Sequence, residues 1–126
     1  MSGVVVSRPA AVFSDHRGDI YDIVEGVVGH VGVVTFGEGA VRGNHYHRRS
    51  TQFTYVLRGR IELLTKAIDG SAPAETCVLG PGELAAVPAR VVHTYRALEP
   101  AAIIDVTTLS RGESGYEDDT VRVEPR

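Results

Sequence analysis

The chain has 126 residues, 43% hydrophobic and 23% charged, which suits one compact domain, residues 1–126, built on a single core. A net charge of −3 leaves no basic excess for phosphates, which argues against nucleic acid as the principal partner. The single cysteine, Cys77, excludes an internal disulfide and reads as a small buried hydrophobe.

The chain opens with "MSGVVVSRPAAVF". Its three consecutive valines are too short for the apolar core of a signal peptide. No apolar run approaches the roughly 18–20 residues of a membrane span. The expectation is a protein in solution, in the cytoplasm, with no membrane partner. Short β-branched runs then follow one another: "GVVV", "DIYDIVE", "HVGVVTF", "TQFTYVLRG", "RIELLTKAI", "ETCVLG", "ELAAVPA", "VVHTYRAL" and "AAIIDVTTL". Turn signals separate them at "DHRGD", "GEGAVRGN", "LRGR", "DGSAP", "GPGE" and "LEP". There is no sustained helical periodicity. The pattern predicts an all-β sandwich or barrel. Residues 111–126 are polar and charged, and read as a solvated tail or, through "TVRVE", an edge strand.

The segment "RGNHYHRRSTQ" (42–52) carries the densest chemistry. Side chains alternate along a strand, so His45 and His47 share a face and Tyr46 points away. Gln52 stands an odd five positions after His47. The polar run "RRST" must therefore bend the chain before Gln52 can rejoin the histidines. Downstream, "PARVVHTYRA" places His93 and Tyr95 on one face.

Gly39, His45, His47, Gln52 and Gly59, followed by Gly82, Pro88 and His93, resemble the two cupin motifs, G-x5-H-x-H-x3-4-E-x6-G and G-x5-P-x-G-x2-H-x3-N. The match covers about half the chain. It implies a double-stranded β-helix, or jelly-roll, barrel. Three positions depart from it: Gln52 replaces the glutamate, Arg90 a glycine and Ala97 the asparagine. Finer features are similar to cupins that act on nucleotide sugars. "FSDHRGDIYDI" resembles the start of dTDP-4-keto-6-deoxysugar epimerases. "RGNHYH" with Gln52 resembles dTDP-sugar 3,4-ketoisomerases. "GNHYH" and a late "DDT" resemble the C-terminal cupin domain of capsular polysaccharide reductase–epimerases. No strand–GxGxxG–helix unit accompanies them, so no hydride chemistry is expected of this chain.

Two chemistries remain open. In the first, His45, His47 and His93 ligate a metal with Gln52 as a fourth ligand; three imidazoles suit zinc, iron, nickel or copper, and manganese is also entertained. Gln52 offers an oxygen but no negative charge. In the second there is no metal. Three clustered imidazoles cannot all be protonated cheaply, so one stays neutral and acts as a base. The ketoisomerase resemblance implies His45 and His47 as that acid–base pair, and the capsular epimerase resemblance implies zinc. Tyr95 joins the catalytic candidates by parity. Arg17 and Arg42 are candidates for binding a substrate diphosphate. The leading expectation is an isomerase or epimerase of a nucleotide-linked 4-keto-6-deoxysugar. The alternatives are a metal-dependent oxygenase and a non-catalytic binding module. The resemblance also implies a homodimer, with the N-terminal strand exchanged. His16 and His30 are read as non-functional, His30 as a hydrogen-bonded structural residue. Asp105 either orients a site histidine or lies on the solvent face, the latter preferred.

Overall fold

The computed structural model describes residues 3–110, 112 and 115–123. The chain forms β1 (Val5–Ser7), β2 (Ala11–Asp15), β3 (Gly18–Tyr21), β4 (His30–Phe36), β5 (Val41–His47), β6 (Gln52–Arg58), β7 (Ile61–Ala67), β8 (Glu75–Leu79), β9 (Leu84–Val87), β10 (Val91–Ala97), β11 (Ala101–Thr107), α1 (Gly115–Asp119) and β12 (Thr120–Arg122). Two five-stranded antiparallel sheets run in the orders β1-β9-β6-β11-β4 and β12-β5-β10-β7-β8. They face each other as a jelly roll. The β2–β3 hairpin belongs to neither sheet.

Alternation explains the core. Gln52, Thr54 and Val56 of β6 are buried, as are Ile61, Leu63 and Thr65 of β7. From the facing strands come Leu79, Ala85, Val87, Tyr95 and Ile103. The interior is therefore apolar at one end, while polar side chains on the same inward faces collect toward the other. Cys77 packs against the apolar part, half-buried, and burial raises its thiol pKa.

One turn is corrected, one strand was not expected, and the edge strand read from "TVRVE" is present at Thr120–Arg122. "GEGAVRGN" was read as one turn, but its second half, from Val41, is strand β5, because it pairs with Tyr95 and Arg96 of β10. Ala11–Asp15 forms a strand that no strong alternation announced. The C-terminal stretch contains a five-residue helix, too short to show a period, followed by β12 at the sheet edge beside β5. Positions 111, 113, 114 and 124–126 lie outside the described residues. No helix among the described residues is long and apolar enough to cross a membrane.

One irregularity shapes the site. Between β5 and β10, His45 faces His93 and Gly43 faces Thr94, so Asn44 is an extra, bulged residue. Gly43 has φ +100° and Asn44 φ +60°, a left-handed conformation that Asn tolerates better than most residues. Asn44 is held there: its Nδ2 donates to Val123 O at 2.6 Å, and its carbonyl accepts Val123 N at 2.9 Å. A Cβ on Gly43 would sit 2.8 Å from His93 O. Gly43→Ala is accordingly expected to lower stability by about 1–3 kcal/mol, read as a fall in urea midpoint.

Candidate functional site

The bulge reverses side-chain parity in β5. Arg42, three positions before His45, therefore reaches the same interior face. "RRST" bends as expected, and it does more than bend. It carries the chain from β5 in one sheet to β6 in the other, so Gln52 meets the histidines from the opposite wall. Arg90 takes the left-handed conformation, φ +67°, at the position where the motif has glycine, and its N–H donates to His47 O at 2.7 Å.

The three imidazoles of His45, His47 and His93 cluster, with ring centroids 4.7–5.3 Å apart. The Gln52 amide head lies between two of them, its Oε1 2.9 Å from His47 Nε2 and 3.1 Å from His93 Nε2. His93 Nδ1 faces the Val91 carbonyl at 3.0 Å. A cavity of about 410 Å³ opens onto His45, His47 and Gln52. That is within the ~300–1,000 Å³ typical of small-molecule sites. Its walls add Val34, Phe36 and Ile103, with Arg42, Asp105, Thr107 and Arg122 as polar groups. Arg42 rests over the Phe36 ring, 5.4 Å from its centroid, which orients the guanidinium along the wall.

Behind His47 stands a group that the sequence reading missed. The Asp119 carboxylate is 3.6 Å from His47 Nδ1 and is almost fully buried. It accepts the backbone N–H groups of Arg49 at 2.8 Å and Ser50 at 3.3 Å. Thr120 Oγ1 lies 3.3 Å from the same Nδ1. Arg122 is paired with His45 in the β5–β12 register and with Glu117 through a double hydrogen bond. These residues all lie in the stretch read as a polar tail. The "DDT" at 118–120 and the edge strand read from "TVRVE" were the signals available.

Other candidates fall elsewhere. Arg17 sits at the β2–β3 turn, exposed, with its guanidinium on Asp15 at 2.6 and 3.0 Å, and is not among the cavity's side chains. That ion pair holds the Asp15 carboxyl below its usual pKa. Tyr95 stands behind His93, centroids 5.9 Å apart, but is only 3% exposed and bonds Thr54 Oγ1 at 2.6 Å. Burial pushes its phenol pKa up. Tyr95 is thus part of the core, outside the cavity lining, which departs from the catalytic place expected for it. Asp105 lines the cavity, contrary to the solvent-face preference, because it shares parity with Ile103 and Thr107. His30 also turns inward, over Gly32, and its buried Nδ1 has no hydrogen-bond partner among the described residues, unlike the bonded role expected. His16 is exposed in the hairpin turn.

Burial is the first cause of the low basicity of two site histidines. It lowers His45 to about 4, helped by His47 and then Arg122, and His93 to about 3, helped by His45. In the unfolded chain both titrate near 6.5. Between about pH 6.5 and about pH 3–4 the unfolded state therefore binds more protons, and stability falls as pH falls. Urea midpoints are expected to be level above pH 7 and to drop steadily from pH 6.5 toward pH 4.

The donor set also fits a borderline divalent cation. Ligand atoms of His45, His47 and His93 lie within 4.8 Å of one another. A cation held there would polarise a bound carbonyl oxygen. Gln52 would bring no charge to it.

The family model described as "Cupin domain" matches residues 32–107. A search of curated protein sequences found no match. Among solved structures, the chain is similar to a dTDP-4-dehydrorhamnose 3,5-epimerase from Sulfolobus tokodaii, with TM-score 0.77 and 20% identity over 97% of this chain and 77% of that one. It is similar to a mutant 3,4-ketoisomerase from Thermoanaerobacterium thermosaccharolyticum in complex with TDP-4-keto-6-deoxyglucose, with TM-score 0.78 and 17% identity over 98% and 89%. A 3'-monoepimerase from Streptomyces bikiniensis in complex with dTDP-quinovose matches with TM-score 0.77 and 18% identity over 98% and 70%.

Proposed function

The chain belongs to the cupin domain family, and from that premise we propose that it is an isomerase or epimerase of a nucleotide-linked 4-keto-6-deoxysugar, acting through His45 and His47. The observation that carries this reading is one cavity uniting His45 and His47 with two guanidinium groups, Arg42 and Arg122. The three similar solved structures, two named with dTDP-linked sugars and one in complex with TDP-4-keto-6-deoxyglucose, favour the same substrate class.

Proton transfer next to a ketone needs a base, charge stabilisation and shelter from water. His45 faces the cavity, half-buried and neutral at pH 7, and takes the proton from the carbon beside the carbonyl. The electron pair left behind moves onto the carbonyl oxygen as an enolate. As His45 becomes an imidazolium, the Asp119 carboxylate behind His47 offsets the charge added to the cluster. Arg42 and Arg122 supply positive charge for the enolate oxygen or for the substrate's diphosphate. Return of the proton to the other face of the same carbon is epimerisation. Return to the former carbonyl carbon, whose oxygen takes up a proton, with loss of the proton from the hydroxyl on the carbon first deprotonated, moves the ketone. Arg17 has no part in this scheme, and Tyr95 has only a packing one. The test is incubation with dTDP- and UDP-4-keto-6-deoxysugars in heavy water, read by proton NMR. Deuterium entering a ring position beside the ketone is expected; no exchange with any of them sinks the reading.

The convergence of three imidazoles favours one second reading, a metal-dependent oxygenase. Iron in protein purified without added metal, with oxygen uptake, would support it over the first.

The protein works as a homodimer in this proposal. Val31 and Val33 of β4, 61% and 67% exposed, point away from the interior onto an uncovered sheet face, and Val5 of β1 does the same at the other edge. The β2–β3 hairpin exposes Val12, Phe13 and Ile20 and, among the described residues, pairs with no third strand; an isolated hairpin is marginal in water. A second copy would cover both. Val33→Lys is expected to shift the mass in light scattering from dimer to monomer.

A further inference from the structure

The Gln52 amide touches His47 Nε2 and His93 Nε2 with the same atom, at 2.9 and 3.1 Å. What that atom is follows from the far sides of the two rings. His93 Nδ1 faces the Val91 carbonyl at 3.0 Å, and a carbonyl only accepts, so Nδ1 carries the proton and donates it. A neutral His93 then has a bare lone pair on Nε2, which needs a donor. The ring is 1% exposed and packed against two other imidazoles, a place hostile to a second proton. A carbonyl oxygen opposite that lone pair would repel it. The two ends of an amide head interchange by a half-turn, and the surrounding hydrogen bonds decide which end sits where. Here they require the NH₂ end.

We propose that Gln52 is a positioning residue that stands in for a cation: its NH₂ group donates one hydrogen to His47 Nε2 and the other to His93 Nε2, fixing both rings with their protons on Nδ1. The remaining contacts agree. His47 Nδ1–H then points at the Thr120 hydroxyl, 3.3 Å away, and toward the Asp119 carboxylate at 3.6 Å. Val91 O behind one ring, and Asp119 with Thr120 behind the other, leave both Nε2 lone pairs converging on Gln52. That convergence is what a metal would require. The amide therefore competes with a divalent cation for these lone pairs and is not its fourth ligand. It also leaves His45 as the imidazole of the three that this lock does not engage. The inference concerns the resting site and holds whether or not a keto sugar is the substrate.

Long-range ¹H–¹⁵N spectra of the wild-type histidines at neutral pH test it directly. Protons on Nδ1 of both His47 and His93 are expected; a proton on Nε2 of either ring overturns the proposal. Titration with Zn²⁺ in competition with a chelator tests the consequence. Removing two hydrogen bonds that a cation would have to break should make Gln52→Ala bind Zn²⁺ roughly tenfold tighter than wild type or more. Equal or weaker binding by the variant, or no binding at all, overturns the competitor role. Neither readout uses a sugar substrate. A confirmed tautomer pair with no deuterium exchange would remove the isomerase reading and leave this one standing.

Discussion

His45→Gln is expected to lower deuterium incorporation into a 4-keto-6-deoxysugar nucleotide by about 10²–10⁴-fold, the usual contribution of a positioned base. The substitution keeps a polar side chain on the cavity wall but removes a group that can accept and release a proton. His47 is a poor replacement, since it is only 4% exposed and its two nitrogens already face Gln52 and the Asp119–Thr120 pair. Binding of the nucleotide sugar, measured by calorimetry, should change little, because Arg42 and Arg122 remain. The wild-type rate should be flat above about pH 5 and fall on the acid side as His45 gains its proton near pH 4. An exchange rate within threefold of wild type in His45→Gln would remove His45 as the base.

Asp119→Ala is expected to cost about 2–4 kcal/mol of stability, with a clear fall in Tm. The carboxylate is buried and accepts two backbone N–H groups in the bend after β5, so its removal leaves both donors unpaired. Asp119→Asn separates the structural part from the electrostatic one. The single amide oxygen can still accept from Arg49, while the NH₂ end would face the Ser50 N–H, so part of the stability should return. The charge behind His47 is gone, so proton exchange should stay at least about tenfold below wild type. Equal rates in Asp119→Asn and wild type would show that this carboxylate serves the bend alone.

Much of this arrangement was legible before any fold was known. His45, His47 and His93 sit at motif spacings, and strand parity alone puts the first two on one face. The odd step to Gln52 signalled a bend at "RRST", and the bend is there. The other site groups left weaker traces. Arg42 reaches the cavity because Asn44 is bulged, and a one-residue bulge has no period to detect. Asp119, Thr120 and Arg122 lie 69 or more positions from the β5 strand and the bend that they meet, in a stretch whose composition suits a solvated tail. Asp105 turned inward where the solvent face was preferred. For Asp105 the alternation with Ile103 and Thr107 already carried that information. Tyr95 was placed correctly behind His93 by parity, but parity cannot tell a cavity wall from a closed core.

By itself, then, the sequence determined the fold class and the identity of three histidines and a glutamine, because alternation and spacing are local properties of strands. Tertiary structure alone decided which atoms of those side chains meet. The Gln52 amide falls between two imidazoles because β5 and β6 lie in opposite sheets. The Asp119 carboxylate backs His47 because β12 pairs with β5, with Thr120 opposite His47 across 73 positions of sequence. Hydrogen-bond distances of 2.9–3.1 Å at Gln52, and the carbonyl of Val91 behind His93, are set by the packing of two sheets, and no one-dimensional pattern records them.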